Sequence, residues 1–398
     1  MKVLIVDAFS TAHVDALRKL GLEVDYRPDL KVGELPNAIV DANILIARSK
    51  EVKRDAIEKG AQLSLIVRAG AGVNTIDRAC ASERGVFLAN CPGKNSIAVA
   101  ELTMALLLAL DRRIVAASDE LHSGRWNKKE FSRAEGLCGR TLGIVGLGSI
   151  GLEVARRAQA FGMQVIAWSR SLDQARAEKL GVVFAPTVEA LCNRVDAISL
   201  HVALNKETRG LLGQAELSKL KPGAMLINTS RAEVIDAAAL KRAIEEKGLR
   251  VALDVFFDEP SGGTGAFADE IGRLPNVVAT PHIGASTEQA QQAVADETVR
   301  IVRAFVTRGE VPNCVNLAAH SSATHQLTVR HRDQVGVLAE VLGAIRRHAL
   351  NVEEMSNTIF ESAAAASARI RLSDQPPPEL IAELSQQASV LAVDCIEL

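Results

Sequence analysis

The sequence predicts an α/β protein with two doubly wound parallel sheets, followed by a smaller α+β domain. Three observations lead to this fold class. Short apolar runs alternate with helical patterns through residues 1–315, as in consecutive βαβ units. A glycine-rich turn at 146–151 stands between a strand pattern and a helix pattern. Beyond residue 316 the pattern changes to a compact β-α-β-β-α-β order.

The first predicted sheet consists of short apolar runs bounded by polar residues or glycine. Its strands are 2–6, 23–26, 42–47, 63–68 and 85–89, with a helix at 12–20. A longer helix begins at Ser96 and leads into the second region. Its apolar part, 97–110, is shorter than the roughly 20 residues of a membrane span and contains Glu101. We therefore expect this helix to be buried in the core or at a subunit interface.

The second predicted sheet has six strands, and the glycine turn follows the first of them. The strands are 141–145, 164–168, 197–201, 224–228, 251–254 and 277–279, and a long helix at 287–307 is predicted to return to the first domain. In the turn, the first glycine permits a tight bend, the second lets backbone approach a pyrophosphate, and the third allows close helix packing. Free N–H groups at the helix N-terminus then hold the pyrophosphate. This pattern predicts a Rossmann dinucleotide-binding domain.

The C-terminal residues form a linker and a small domain. The segment 316–324 is small and polar, which is typical of a linker. The predicted strands are 326–330, 351–360, 364–372 and 390–396, and the helices are 336–348 and 378–388. This order is that of the ferredoxin-like unit.

Composition excludes several classes of partner. A net charge of −2 and 3% aromatic residues give no reason to expect nucleic acid or a membrane surface. The six cysteines are scattered, without a CxxC pair or a His/Cys cluster, so neither a metal site nor a disulfide framework is expected. The chain starts directly with a strand and lacks the apolar core of a signal peptide. We expect a cytoplasmic protein with free thiols.

Three polar residues of the second region follow apolar strand-like runs, namely Arg231, Glu259 and His282. Ligands of open α/β sheets bind at the carboxyl ends of the strands. A histidine suits proton transfer in both directions because its ordinary pKa is near neutrality. A guanidinium can hold a carboxylate through two parallel bonds. Beside a dinucleotide site, these residues predict hydride transfer coupled to proton transfer.

Several stretches, in this order along the chain, resemble the D-2-hydroxyacid dehydrogenases. They are 68–74, 93–96 with 100–101, the glycine turn, 226–231, 252–256 with 259–260, and 280–284. The resemblance is closest to members that oxidise D-3-phosphoglycerate and carry a C-terminal ACT domain. It implies a discontinuous, flavodoxin-like substrate-binding domain at 1–97 and 287–315. It also implies a Rossmann domain at 98–286, a linker at 316–324 and a regulatory ACT domain at 325–398.

The resemblance also implies roles for individual residues. The implied catalytic residues are Arg231, Glu259 and His282, with Glu259 orienting the imidazole. The implied cofactor-binding residues are Gly146, Gly148, Ser149, Ile150, Gly151, Ser169, Arg170, His201, Thr229, Ser230, Asp254, His282 and Gly284. The implied substrate-binding residues are Arg48, Arg68, Ala69, Gly70, Asn95, Lys128 and Arg231, with backbone N–H groups of Ala69, Gly70 and Ala71 facing the substrate carboxylate.

The sequence departs from the family at two positions near the predicted site. Ser169 stands where NAD enzymes carry an acid for the ribose 2′-hydroxyl. Together with Arg170 it would accommodate a 2′-phosphate, so NAD is expected and NADP stays open. Ala232 follows Arg231 where the family has glycine, which would be costly if this position requires a positive φ.

In the C-terminal domain, the resemblance implies an amino-acid effector site at His331, Asp333 and Asn351. Asp333 takes the place of an asparagine, and Val335 that of a proline. A small amino acid such as serine is the expected effector, and an assembly module without a ligand is the alternative. The long helix at Ser96 and the C-terminal domain both favour a homodimer or homotetramer.

The activity implied is oxidation of D-3-phosphoglycerate to 3-phosphohydroxypyruvate with hydride transfer to NAD, the first step of L-serine biosynthesis. An NADPH-dependent hydroxypyruvate or glyoxylate reductase is the nearest alternative, because Ser169 and Arg170 suit a 2′-phosphate. A catalytically inactive, NAD(H)-sensing binding protein is the alternative outside the enzymes. Retention of Arg231, Glu259 and His282 argues against an inactive site.

Overall fold

The computed structural model describes residues 1–260, 264–318 and 321–398. They form two compact units, Met1–Asn316 and Leu317–Leu398. The predicted linker at 316–324 includes residues 319 and 320, which lie outside the described residues. Asn316 is tied to the first unit, because its side chain accepts a hydrogen bond from the Leu88 N–H and donates one to the Val86 carbonyl, both at 2.8 Å.

The first unit begins with a five-stranded parallel sheet in the order β2-β1-β3-β4-β5. The strands are β1 Lys2–Ile5, β2 Glu23–Tyr26, β3 Ile44–Ala47, β4 Leu65–Arg68 and β5 Phe87–Asn90. Helices α1 Thr11–Arg18, α2 Leu35–Ala38, α3 Arg54–Lys59 and α4 Arg78–Glu83 connect them. The inner strands β1, β3 and β4 are almost entirely buried, as expected for a sheet covered on both faces. The order is flavodoxin-like, which confirms the predicted doubly wound fold.

Three helices lead to the second sheet: α5 Ser96–Arg112, α6 Ile114–His122 and α7 Lys128–Phe131. The predicted helix at Ser96 is thus confirmed. α5 buries ten of its residues and ends at Arg113, whose φ of 51° provides a left-handed C-cap. No helix in the described part of the chain is long and apolar enough to cross a membrane.

The second sheet is also parallel and has seven strands in the order β12-β11-β10-β9-β6-β7-β8. The strands are β6 Thr141–Val145, β7 Gln164–Trp168, β8 Val183–Phe184, β9 Ala197–Leu200, β10 Met225–Asn228, β11 Arg250–Leu253 and β12 Val277–Ala279. The helices are α8 Ser149–Ala160, α9 Gln174–Lys179, α10 Val188–Cys192, α11 Gln214–Lys219 and α12 Ala237–Lys247. This is the Rossmann order with one further strand. The prediction of six strands was wrong because it missed β8. This strand has only two residues, too few to form a recognisable pattern.

The first unit closes with α13 Glu288–Arg308, which returns to the first sheet. The hydroxyl of Thr287 caps this helix by accepting the Ala290 N–H at 3.2 Å. Val299 and Val302 of α13 share a core with Val3 of β1. The long helix therefore completes the layer over the first sheet.

The second unit is a four-stranded antiparallel sheet in the order β14-β15-β13-β16. The elements are β13 His325–Arg332, α14 Val337–Arg347, β14 Val352–Ile359, β15 Ala365–Leu372, α15 Pro378–Ser385 and β16 Val390–Glu397. Alternate residues of β13 and β15 are buried against the two helices. The order and connections are those of the predicted ferredoxin-like unit.

Candidate active site

The glycine turn joins β6 to α8 and leaves the N-terminus of α8 open. Gly146 has a φ of 99°, and a Cβ there would lie 2.7 Å from the His201 carbonyl group. A Cβ on Gly151 would collide with the Gly146 carbonyl oxygen. Gly148, which precedes Ser149 and Ile150 in the helix, meets no protein atom within 4 Å of an added Cβ. This cradle fits the pyrophosphate of NAD, because helix N-terminal N–H groups favour an anion.

His201 lies directly behind the glycine turn. Its Nε2 pairs with the Ser199 hydroxyl at 2.8 Å. Its Nδ1 is buried and has no hydrogen-bond partner in the described part of the chain. Burial lowers the pKa of His201 to about 3, so the imidazole is neutral near pH 7. A neutral ring beside the pyrophosphate site contributes shape and a polar atom, not charge.

The end of β7 carries the residues that would distinguish NAD from NADP. Ser169 is half-buried, whereas Arg170 is exposed. Arg170 donates from Nη1 to the Glu207 carboxylate at 3.1 Å. The guanidinium expected to meet a 2′-phosphate therefore already has an anionic partner on the protein.

Asp254 holds the loop that carries the predicted catalytic histidine. It is buried directly after β11. Its Oδ1 accepts the Thr280 hydroxyl at 2.6 Å and the Ile283 N–H at 2.9 Å, and its Oδ2 accepts the Gly284 N–H at 2.9 Å. Burial raises the pKa of Asp254, against the opposing effect of these bonds. A residue expected to bind cofactor thus also fixes the shape of the site.

His282 occupies a strained backbone conformation within that loop. Its φ is 52°, in the left-handed region that costs a non-glycine residue about 1–2 kcal/mol. The bonds from Thr280, Ile283 and Gly284 to Asp254 flank His282 on both sides in sequence. Strain of this kind persists where surrounding contacts impose it, and it is common at functional positions.

The side chains of His282 and Glu259 form a close pair. Nδ1 of His282 lies 2.6 Å from Glu259 Oε2, and Glu259 Oε1 accepts the Phe256 N–H at 3.0 Å. Burial opposes ionisation of Glu259, but the bonds from His282 and Phe256 lower its pKa overall. Because a carboxylate only accepts hydrogen bonds, Nδ1 carries the proton and Nε2 of the neutral ring is left as a base. The His282 side chain is 45% exposed, so Nε2 is within reach of a substrate.

Asn228, at the end of β10, organises the segment that carries Arg231. Its Oδ1 accepts both the N–H and the hydroxyl of Ser230, and its Nδ2 donates to the Arg231 carbonyl at 2.9 Å. The Arg231 Nη1 donates to the Ser230 carbonyl at 2.6 Å. Sequence reasoning gave Asn228 no role, although a polar residue that ends an apolar strand was the available signal.

Arg231 reaches across to the loop after β4. A Cβ on Gly72 would lie 2.6 Å from the Arg231 Nη2, so this glycine makes room for the guanidinium. The two parallel sheets therefore present their carboxyl ends to one another here. Ala232 begins a short 3₁₀ turn and does not have a positive φ, so glycine is not required at that position.

Arg68 ends β4 and forms a cluster of like charges with Arg48 and Arg231. Burial, and after it the neighbouring Arg231 and Arg48 guanidinium groups, lower the pKa of Arg68 to about 10. The Arg68 Nε is buried without a partner, and no carboxylate of the described residues forms an ion pair with any of the three arginines. Asp7 positions Arg48 by accepting its backbone N–H at 2.6 Å. Such a cluster can bind an anion with more than one negative charge.

The remaining predicted substrate residues have different outcomes. The prediction that Ala69, Gly70 and Ala71 offer free N–H groups was wrong for the first two, since these donate to the Ala47 and Arg68 carbonyls at 2.8 Å. The N–H groups of Ala71 and Gly72 have no acceptor among the described residues. These two N–H groups are therefore the ones free to bind a carboxylate.

Asn95 and Lys128 also differ from one another. Asn95 precedes α5, and its Oδ1 is buried without a hydrogen-bond partner in the described chain, as expected of a residue that binds a ligand. Lys128 lies exposed on α7, and no described hydrogen bond or ion pair ties its ammonium group to the arginine cluster. No group of three or more His, Cys, Asp and Glu side chains is placed to hold a metal ion among the residues that the structure covers.

The predicted effector residues are not gathered within one chain. His331 is opposite Ala366 in the register of β13 with β15. The strand that follows Asn351 begins opposite Leu372, at the other end of β15. At about 3.3 Å per residue, Asn351 lies about 20 Å from the level of His331. Asp333 lies at the same end as His331, because it follows the end of β13.

His331 has a partner that sequence reasoning missed. The imidazole is buried, with Nδ1 2.8 Å from the Arg332 carbonyl oxygen and Nε2 3.2 Å from the Asn357 side chain. Asp333 and Asn351 are exposed, and Asn351 donates to Glu353 at 2.7 Å. No signal in the sequence linked Asn357 to His331, since the contact depends on strand register across β15.

Comparison with known proteins identifies the family. The NAD binding domain of D-isomer specific 2-hydroxyacid dehydrogenases matches residues 104–284. The chain is 36% identical over 375 residues to a D-3-phosphoglycerate dehydrogenase of Methanocaldococcus jannaschii, covering 94% of this chain and 67% of that protein. It is 42% identical over 276 residues to a hydroxypyruvate reductase of Thermotoga maritima, covering 68% and 87%.

A solved structure of the same kind matches the fold. The NAD⁺-bound 3-phosphoglycerate dehydrogenase of Entamoeba histolytica aligns with a TM-score of 0.67 at 28% identity, covering 80% of this chain and 99% of that one. The chain spans 56% to 67% of the length of the D-3-phosphoglycerate dehydrogenases that it matches over most of its sequence. With its NAD-binding sheet and its Arg231, Glu259 and His282 site, the chain belongs to the D-isomer-specific 2-hydroxyacid dehydrogenases.

Proposed function

We propose that this protein oxidises D-3-phosphoglycerate to 3-phosphohydroxypyruvate with reduction of NAD, as the first step of L-serine biosynthesis. The arginine cluster is the observation that carries the proposal. A hydroxy acid with a single carboxylate requires one guanidinium, and Arg231 supplies it. Arg48 and Arg68 add two positive charges that form no ion pair with a described carboxylate, and Asp7 nearby is paired with Lys50 at 3.7 Å. These charges suit a phosphate, which carries nearly two negative charges at neutral pH.

The chain's own groups handle the proton and the substrate anions. When bound at the glycine turn, NAD would supply the acceptor for the hydride of the carbon that bears the hydroxyl group. His282 takes the hydroxyl proton at Nε2, and Glu259 stabilises the imidazolium that forms. Arg231 holds the carboxylate and polarises the neighbouring C–O bond. In the reverse direction, protonated His282 returns the proton to the oxo group.

The division into domains is part of the proposal. Residues 1–97 with 287–315 would bind substrate, and residues 98–286 would bind the cofactor. Arg48, Arg68 and Asn95 then belong to the first domain, and Arg231 belongs to the second. The close approach of Arg231 to Gly72 supports a cleft between the two in which both domains contact the substrate.

A hydroxypyruvate or glyoxylate reductase that uses NADPH is the second candidate. The 42% identity to a hydroxypyruvate reductase favours it, as does Ser169 in place of an acid. The Arg170–Glu207 pair weighs against it, because a 2′-phosphate would have to compete with a carboxylate already in place. An inactive NAD(H) sensor is disfavoured by the close His282–Glu259 pair, which a sensor does not require.

Initial rates with D-3-phosphoglycerate and D-glycerate, each with NAD and with NADP, test the proposal. The assay is run at alkaline pH with the oxo acid trapped. Turnover of the phosphorylated acid with NAD is the expected result. The matched variant R48Q should lower kcat/KM for D-3-phosphoglycerate far more than for D-glycerate. Equal or faster oxidation of D-glycerate with NADP would instead establish the reductase.

We propose that the enzyme is a homo-oligomer in which α6 is covered by a second copy. None of the nine residues of α6 is buried, although Ile114, Val115 and Leu121 are apolar, and Trp126 beyond it is 80% exposed. Exposed apolar clusters of this kind mark protein contacts. Light scattering should give a dimer or tetramer for the wild type and a smaller species for L121E. A monomeric wild type would contradict the proposal.

We further propose that a small amino acid such as serine binds between two copies of the C-terminal unit. His331 and Asp333 lie at one end of the sheet and Asn351 at the other, so a site that uses all three requires two chains. The exposed Asp333 carboxylate suits an ammonium group. Calorimetric titration with serine tests this, and an absence of heat at millimolar serine would favour an assembly module without a ligand.

All six cysteines are free thiols. Burial raises the pKa of Cys91 and of Cys192, so these two are poor nucleophiles. We propose a reducing compartment, the cytoplasm, as the location, and microscopy of the tagged protein checks it.

A further inference from the structure

Thr103 lies on α5, outside the residues that sequence reasoning assigned to the site. It is buried, and its hydroxyl oxygen lies 2.8 Å from the Val99 carbonyl oxygen and 3.1 Å from the Thr229 hydroxyl oxygen. A carbonyl oxygen only accepts, and a hydroxyl has one proton, so Thr103 donates to Val99. The contact with Thr229 then requires that Thr229 donate to Thr103.

This direction of donation fixes what Thr229 can offer a ligand. Its only proton points into the protein, and its remaining lone pairs are free to accept. Thr229 follows β10 directly, is 8% exposed, and has no other side-chain hydrogen-bond partner in the described residues. We propose that Thr103 sets the hydrogen-bond polarity of Thr229, so that this point of the cleft selects a ligand group that donates a hydrogen bond.

The position of Thr229 identifies that group. β10 lies on the opposite side of β6 from β7, so Thr229 is at the far end of the cofactor site from Ser169. It precedes Ser230 and Arg231, where the nicotinamide must face the substrate. The nicotinamide ring carries one strong donor, the NH₂ of its carboxamide. Thr103 is therefore a positioning residue for carboxamide recognition, an inference that rests on NAD binding and not on the identity of the hydroxy acid.

A second contact from the same helix turn supports this placement. A Cβ built on Gly284 would lie 3.4 Å from the Val99 side chain. Val99 is also the residue whose carbonyl oxygen accepts the hydrogen bond from Thr103. One turn of α5 thus underlies both Thr229 and the loop that carries His282.

Binding measurements with two cofactors test the inference without reliance on turnover. We would measure the Kd of NAD and of 3-acetylpyridine adenine dinucleotide, in which a methyl group replaces the amide NH₂, by calorimetry. The wild type should bind NAD about fivefold more tightly, the ratio expected for one neutral hydrogen bond. In T103V the Thr229 hydroxyl is free to rotate, so it can donate to the amide carbonyl of NAD or to the acetyl carbonyl of the analogue. The ratio of the two Kd values should therefore fall to within about twofold.

The conservative variant separates positioning from packing. T103S keeps the hydroxyl and should keep the wild-type ratio. A merely structural role would weaken both cofactors together and leave the ratio unchanged in T103V, which would overturn the inference. A wild type that does not discriminate between the cofactors would overturn it as well. If T103V does not fold, T229V removes the acceptor itself, and an unchanged ratio in that variant is equally fatal to the inference.

Discussion

Arg68, which is partly buried, and Glu297, which is buried, are charges beside the first sheet, and their surroundings are opposite. Glu297 on α13 accepts two bonds from Arg300, at 2.6 and 3.0 Å, and one from Asn313 at 2.7 Å, with the Lys94 ammonium at 3.4 Å. The bonds from Arg300 and then Asn313, together with the positive charges, lower its pKa to about 2 despite burial. Arg68 lies beside the Arg231 and Arg48 guanidinium groups, whose effect on its pKa is larger than that of the Asp7 carboxylate, and its Nε has no partner in the described chain.

The difference separates a structural charge from a functional one. A buried charge without a partner costs free energy of folding, so it is retained only where something else completes it. Glu297 is complete within the protein and joins α13 to the segments that carry Lys94 and Asn313. In the proposed function, the substrate anion completes Arg68. Incomplete pairing is therefore a better guide to the substrate site than the presence of charge.

Replacement of Arg68 by methionine should have the largest effect on activity. Loss of a buried charge-assisted contact to the substrate is worth about 3 kcal/mol or more, so kcat/KM for D-3-phosphoglycerate should fall at least about 100-fold. The free energy of unfolding should stay the same or rise, because an uncompensated buried charge is removed. Steady-state kinetics and urea unfolding measure the two effects. If R68M is destabilised and keeps its kcat/KM, Arg68 is a structural charge and not a functional one.

Replacement of Glu297 by glutamine should do the opposite. Because the folded pKa of Glu297 is about 2 and its ordinary pKa is 4.5, the carboxylate contributes about 3 kcal/mol to the free energy of unfolding at pH 7. E297Q should lose this stability and keep nearly the wild-type kcat/KM. Because the folded pKa is the lower one, this stabilisation is complete above about pH 4.5 and is lost as the pH falls toward 2. The gap between the wild type and E297Q in urea unfolding should therefore narrow from pH 7 to pH 4. A gap that widens would show that the carboxylate is not the stabilising group.

Substrate should stabilise the folded state only through the incomplete site. At ten times its Kd, D-3-phosphoglycerate should add about 1.4 kcal/mol to the wild type and to E297Q. R68M at the same concentration should gain little. Differential scanning fluorimetry with each protein measures the shift in Tm. Equal shifts in R68M and the wild type would place the anion elsewhere.

Lys128 should give the smallest effect. Exposed charges contribute about 0–1 kcal/mol, so K128A should lower kcat/KM for D-3-phosphoglycerate less than about fivefold. R48A is the matched variant within the arginine cluster and should lose more. The two are compared under one set of assay conditions. A loss above tenfold in K128A would bring α7 into the substrate site.

The strand ends could be predicted from sequence, and with them the residues of the candidate site that lie there. Arg68, Arg231 and His282 stand out because each follows an apolar run, and the carboxyl ends of parallel strands share one edge. The glycine turn is recognisable because each of its three glycines is required for a different steric reason. β8 could not be found in the same way, because two residues carry no periodicity.

The supporting contacts could not be predicted, since side-chain hydrogen bonds between distant segments leave no periodic trace. Asp254 reaches residues about 30 positions away, and Thr103 pairs with Thr229 across 126 positions. Of the three predicted N–H groups, only that of Ala71 is free, because Ala69 donates to the neighbouring strand β3 and Gly70 donates within a tight turn. The separation of His331 from Asn351 depends on register, which spacing along one chain does not determine.

Asn316 has a consequence for how such proteins arise. Its side chain bonds the Leu88 N–H of β5 and the Val86 carbonyl just before that strand. These backbone groups of the first unit are therefore bonded by the last residue of that unit and need no partner from the second. A chain cut after this residue should still bind NAD, which calorimetry can check. The first unit holds 316 of the 398 residues, so it is long enough to contain the whole 276-residue match to the Thermotoga maritima hydroxypyruvate reductase. Gene fusion or loss at Asn316 can thus add or remove the C-terminal unit without rebuilding a folded core.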